Sequence, residues 1–149
     1  MSLGNKQYFS VTLEWKKDHE MILHTREIPD TIVGPPVTHE GKPHYTTGQD
    51  LFLGSIATCL ASTFITNAKD NNLEYTMFKV HVEGILQVFD PSNVKFTEVS
   101  TVMNLAINKK EDIGLAKEVY KQVTNTTVIG LTIEDCVKLK HSLQLFVQE

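Results

Sequence analysis

The 149-residue chain has almost no arginine: Arg26 is the only one among fourteen basic residues. A site that clamps anions with several bidentate guanidinium forks is therefore excluded. Cysteine is equally scarce, with only Cys59 and Cys136, far apart and in no CxxC pair. That excludes a secreted disulfide framework, a zinc-ribbon site and a thioredoxin motif. Positive charge is in deficit, since fourteen Lys and Arg against eighteen Asp and Glu leave a net charge of −4. The chain has no electrostatic footprint for nucleic acid or for an anionic membrane. No GxGxxG, P-loop, HExxH or GxSxG occurs, which removes those enzyme classes. No signal peptide opens the chain and no internal repeat runs through it, so a cytoplasmic location is expected. The uncharged run from Leu51 to Asn67 is short and rich in Ser and Thr, so it reads as a buried helix rather than a membrane span.

What is present reads as one domain over residues 1–149, with 41% hydrophobic residues, enough for a folded core. Loose alternation over Tyr8–Trp15 and Met21–Ile28 predicts two strands joined by the charged turn Lys16–Glu20. Pro29, Gly34, Pro35, Pro36, Gly41 and Pro43 then mark an irregular stretch over 29–47. Thr47 and Asp50 have capping-box spacing and open a helix that runs to Asp70. That helix is apolar nearly all round, as expected of one buried on several sides. Gly54, Ala57, Ala61 and Ala68 form a small-residue strip suited to a second helix. Cys59 shares the opposite face with Phe52, Ser55, Ile56, Thr63 and Thr66.

Met77–Phe89 and Val94–Ile107 alternate around the turn Asp90–Asn93 and read as a long hairpin. Glu111–Gln122 has helical spacing, broken at Thr124–Thr127. Val137–Val147 alternates as a final strand, with a helix from Thr132 as the rival reading. The strand phase sets Cys136 on the Lys138/Lys140 face, away from the apolar one. Strands interleaved with helices in this order mean an α+β fold. A helix apolar on every face favours a partner subunit that covers it.

The element order, and the stretch Gly48-Gln49-Asp50-Leu51-Phe52-Leu53-Gly54-Ser55-Ile56-Ala57-Thr58-Cys59-Leu60, resemble the OsmC/Ohr family of thiol-dependent hydroperoxide reductases. There a motif of the type Pro-Glu-x-Leu-Leu-x-(small)-x-x-x-x-Cys opens a central helix. The resemblance implies an interlocked homodimer, with strands wrapped around buried central helices and sites at the subunit interface. It implies a stress-response antioxidant function in which Cys59 attacks the O–O bond of an organic hydroperoxide and becomes a sulfenic acid. A second cysteine and an external thiol or dithiol would complete the cycle, with no metal or other cofactor. The attacking thiol, with an ordinary pKa of about 8.5, must be held as a thiolate by a cation, hydrogen bonds or a helix N-terminus.

The chain departs from the motif at several points. Gln49 stands at the glutamate position and Gly48 at the proline position. Val123–Thr127, where the family's second cysteine opens a short helix, contains none, so Cys136 is the remaining candidate for a resolving thiol. Arg26 is the candidate for the activating arginine by elimination. Two function classes follow. One is a peroxidase that uses Cys59 with weak or atypical resolution. The other is a non-catalytic dimer of the same fold that binds a small apolar or thiol-reactive ligand. Among the histidines, His39 and His44 flank Glu40 on a loop without a third ligand at metal spacing. His44 and Tyr45 border the loop before the Cys59 helix. His81 falls on a solvated strand face, and His141 reads as a satisfied core histidine.

Overall fold

A computed structural model describes residues 4, 6–17, 20–24, 36–39, 43 and 46–148. Strand β1 (Lys6–Lys17) pairs antiparallel with β2 (Glu20–His24), as the alternating pattern predicts. A short 3-10 turn at Val37–His39 precedes helix α1 (Gly48–Asp70). Strands β3 (Met77–Asp90) and β4 (Asn93–Ile107) form the long hairpin. Helices α2 (Ile113–Thr126) and α3 (Val128–Ile133) then lead to β5 (Lys138–Val147). The five strands form one sheet in the order β2-β1-β3-β4-β5. Among the described residues only the β4–β5 pair is parallel, and α2 and α3 lie in the crossover that a parallel pair requires. The fold is α+β.

The helices cover one face of this sheet. Val11, Val82, Thr101 and His141 are neighbours in one row across β1, β3, β4 and β5. Leu13, Val80, Met103 and Leu143 form the next row. Leu53, Ile56, Leu60 and Phe64 of α1 join the same core and are at most 2% exposed. Burying side chains of this size contributes about 1.5–3 kcal/mol each. Phe64 meets Phe78 edge-on at 5.1 Å, and Tyr75 and Trp15 complete an aromatic cluster. The cluster fixes the second half of α1 against the sheet.

The capping box is complete. The buried Asp50 carboxylate accepts from the Thr47 backbone N–H at 2.7 Å, and the Asp50 N–H donates to Thr47 Oγ1 at 3.1 Å. Two orphan donors of the helix start are thereby satisfied reciprocally.

Four expectations are corrected. The small-residue strip does not point away from the chain: Gly54, Ala57, Ala61 and Ala68 are all buried within it. The outward side carries Leu51, Ser55, Thr58 and Thr66, so the helix is not apolar all round. Ile56, grouped with Cys59 by angle, is buried instead at 2% exposure. By length and composition α1 is long and apolar enough to cross a membrane, contrary to the length argument, but half of its most apolar window is buried.

The break in the second helix comes at Thr127 alone, and the separate helix α3 follows it. Neither the Thr124–Thr127 break nor a helix starting at Thr132 describes this region. Two threonines keep bonding back onto α2: Thr124 Oγ1 donates to the Lys121 carbonyl and Thr126 Oγ1 to that of Gln122. Residues that commonly leave a helix are thus held within it.

Candidate functional site

Cys59 lies in the middle of α1 and is half-buried with a free thiol. Its turn of helix is anchored from beneath by Leu60, Ala57 and Ile56, which are buried in the core. The sulfur therefore sits at the border between the covered and outward sides. The hydroxyls on that side are largely committed elsewhere. Ser55 Oγ donates to the Phe52 carbonyl at 2.7 Å, Thr58 Oγ1 to that of Gly54 at 2.8 Å, and Thr66 Oγ1 to that of Ser62 at 3.2 Å. A hydroxyl has one proton to donate, so these three cannot also stabilise a thiolate. Among the described residues, Ser62 and Thr63 retain uncommitted hydroxyls beside Cys59.

Gln49 is half-buried in the first turn of α1. Its neighbour Asp50 supplies the carboxylate of this turn, and that group is held by Thr47. Arg26 lies outside the described residues, as do His44 and Tyr45 and the side chain of His39.

Cys136 is placed differently from the strand-phase expectation. It precedes β5, in the turn after α3, where its N–H donates to the Ile133 carbonyl at 2.9 Å. The alternation of β5 does hold from Lys138 onward, but it does not reach Cys136. The exposed Cys136 thiol lines a groove of about 440 Å³ together with Gln49, Phe52, Phe96 and Val137. The structure thus brings Cys136 to Gln49, at the start of α1. Cys59 lies ten residues further on, about 15 Å along the axis at 1.5 Å per residue. A disulfide needs Cα atoms within about 7 Å.

The groove escaped sequence reasoning because its walls come from four separate segments. One signal was available in Gly84, a glycine at a buried position of an alternating strand. A Cβ there would lie 2.5 Å from Phe96 Cε1 and 3.0 Å from Leu53 Cδ2. Its absence lets the Phe96 ring settle across β3 and stack on Phe52 at 5.2 Å.

Helix α3 opens where the resemblance would place the second cysteine. The residue there is Thr127, 2% exposed, whose Oγ1 accepts from the Gly130 N–H at 3.1 Å. It caps the helix.

His141 faces the helices, and its Nδ1 lies 2.6 Å from the Oγ1 of buried Thr101. It is the satisfied histidine expected, and burial holds its imidazole below the ordinary value of 6.5. Beside Thr101, the buried Tyr120 hydroxyl has no well-formed hydrogen bond, and burial pushes the phenol up to about 12. His81, on the other face of the sheet, contacts Thr12 Oγ1 at 3.1 Å and Glu83 Oε1 at 3.2 Å. Among the described residues no group of three or more His, Cys, Asp or Glu is placed to hold a metal ion.

Comparison with known proteins agrees with this architecture. The family model described as OsmC-like protein matches residues 39–142. No curated protein matches the chain. A solved structure of an organic hydroperoxide resistance protein OsmC from Legionella pneumophila is similar, with a TM-score of 0.63 and 14% identity over 97% of this chain and 99% of that one. The organic hydroperoxide resistance protein OhrB of Bacillus subtilis gives a TM-score of 0.57 and 19% identity, covering 94% and 98%. An osmotic stress and detoxification response protein from Psychrobacter arcticus gives 0.62 and 17%, covering 89% and 93%. At these identities the structures establish the shared fold.

Proposed function

We propose a function from the premise that the chain belongs to the OsmC-like family: thiol-dependent reduction of organic hydroperoxides through Cys59, resolved by an external thiol. The observation that carries this reading is the position of Cys59, half-buried at the border of the outward side of α1. A thiol there is reachable by substrate while its helix is held rigidly from below. In the reaction the Cys59 thiolate attacks the distal oxygen of ROOH, the O–O bond breaks, and ROH leaves after taking a proton. The sulfenic acid then condenses with an external thiol, releasing water, and a second thiol exchanges the mixed disulfide and regenerates Cys59. Thr127 at the opening of α3 and Cys136 at the far groove both support resolution from outside the chain.

The protein acts as a homodimer in this reading, with the outward side of α1 covered by its counterpart in a second copy. Ser55, Thr58, Ser62 and Thr66 would allow close helix approach, because their hydroxyls or small side chains stay near their own backbone. Arg26 is carried as the activating cation, and Gln49 as a neutral residue in place of the family's glutamate.

The test is consumption of cumene hydroperoxide with dithiothreitol as reductant. Wild type and Cys136→Ser are expected to turn over slowly and equally, and Cys59→Ser not at all. Retention of the wild-type rate by Cys59→Ser overturns the reading, and so does loss of activity in Cys136→Ser alone. The second reading is a ligand-binding dimer without catalysis. The commitment of the Ser55, Thr58 and Thr66 hydroxyls to backbone carbonyls favours it, and an inactive wild type would count for it over the first.

A further inference from the structure

Strand β5 is the outermost strand of the sheet and bonds to β4 on one side only. Among the described residues no strand pairs with its other edge, so the row of N–H and C=O groups on that side is open. The helices stop short of this edge. On β4 the helix-facing Val99, Thr101, Met103 and Leu105 are at most 1% exposed. Their partners on β5, Leu139, His141, Leu143 and Leu145, are only half-buried. The uncovered margin holds a cavity of about 260 Å³, bounded by Leu139 and His141 of β5 and by Thr124, Gly130, Leu131 and Glu134. Leu131 in this wall is 50% exposed.

The opposite side of β5 carries positive charge. Lys138 and Lys140 are exposed there, two residues apart and so about 6.6 Å along the strand. Lys140 Nζ lies 2.8 Å from Glu98 Oε1. That hydrogen bond, helped by the charges of Lys138 and Lys6, holds the Glu98 carboxyl below the ordinary carboxylate range. Three lysines thus surround one carboxylate, in a chain whose net charge is −4.

Together these features of one strand select one kind of occupant. An open ladder edge is matched by another extended backbone. Lysines on alternate residues are matched by acids at the same period of two on a neighbouring strand. Leu131 and Leu139 in the cavity wall suit an apolar side chain on the other face of that strand. A second copy of β5 is a poor match. Antiparallel pairing centred on Lys140 sets that lysine against its own counterpart, and pairing centred on Leu139 sets Lys138 against Lys140.

We propose that the free edge of β5 binds an extended peptide segment of another protein in which acidic and apolar residues alternate. The segment adds to the sheet as a further strand. Its acids meet Lys138 and Lys140, and an apolar side chain enters the cavity beside Leu131 and Leu139. Cys59 takes no part.

The probe is the fluorescein-labelled peptide acetyl-Thr-Glu-Val-Glu-Leu-Glu-Val-Thr-amide, titrated with the full-length protein and followed by anisotropy. Its controls have Lys in place of each Glu, the same residues with the acids in one block, or a backbone N-methylated so that it donates no hydrogen bond. The alternating acidic peptide is expected to bind more tightly than every control, and more weakly as salt rises. Amide hydrogen exchange should slow along β5 and stay unchanged along β2, the strand at the other edge. Lys138→Ala should weaken binding about twofold to fivefold, the size of one cross-strand charge pair. Lys138→Glu should reverse the preference between the acidic and the lysine peptide. Because Lys138 is exposed, both variants should keep the wild-type circular dichroism. Absence of binding, equal binding of the block or methylated peptide, protection of β2 instead of β5, or an affinity that neither Lys138 variant changes overturns the proposal. So do β5 amides already protected in the free protein that become exchangeable on dilution, since a second copy would then hold the edge.

Discussion

Single residues decide where this structure is polar inside. His141 and Thr101 interrupt an otherwise apolar inner face, and their 2.6 Å contact joins β5 to β4 through side chains as well as backbone. The folded state holds His141 neutral to a lower pH than the unfolded chain does. The sign follows from proton linkage: below the ordinary value of 6.5 the unfolded chain binds the proton more readily, so folding stability falls with pH. Above 6.5 the histidine costs nothing. Thr101 Oγ1 is its hydrogen-bond partner, and Thr124 and Glu134 line the same pocket. Urea unfolding of wild type and His141→Gln between neutral and mildly acidic pH should show a shallower acid decline in the variant. At the other end of the core, Thr47→Ala removes the Oγ1 partner of both the Asp50 N–H and its carboxylate. Loss of such a cap costs about 1–2 kcal/mol, read as a lower urea midpoint.

At the scale of elements, the legible parts were those in which one local pattern sufficed. The Thr47/Asp50 spacing located the start of α1, and the alternation around Asp90–Asn93 located the β3–β4 hairpin. The residues that misled were those with two possible fates. Thr124 and Thr126 resemble breakers, but each satisfies its hydroxyl inside α2. Gly54, Ala57, Ala61 and Ala68 are small enough for a partner helix, and equally small enough for the core of their own chain, which takes them. Periodicity defines the faces of a helix and leaves open which neighbour each face meets. Cys136 was misplaced for a related reason: the strict alternation of β5 was extended two residues too far, into a turn held by the Ile133 carbonyl. The place of Cys59 within α1 was legible from the capping-box spacing that opens the helix. The groove was not, because it depends on segments as distant as Gln49, Phe96 and Val137.

For the molecule as a whole, the open question is what meets the outward side of α1. Leu51 is 42% exposed there, beside Ser55, Thr58 and Thr66. In the proposed dimer a charge in the middle of this side would be buried without a partner, at a cost of several kcal/mol. Sedimentation velocity at micromolar concentration should therefore show a dimer for wild type and a monomer for Thr58→Glu, with secondary structure kept. A wild-type chain that sediments as a monomer removes the dimer from the proposal.

The parallel pairing of β4 with β5 also orders events in time. Until residues 108–137 have crossed the sheet, the far edge of β4 has no strand to bond with, and its ladder of N–H and C=O groups stands open. Loop closure over such a span is slow compared with forming the β3–β4 hairpin. The newly made chain therefore passes through a stage in which a long, apolar strand edge is available to any other chain.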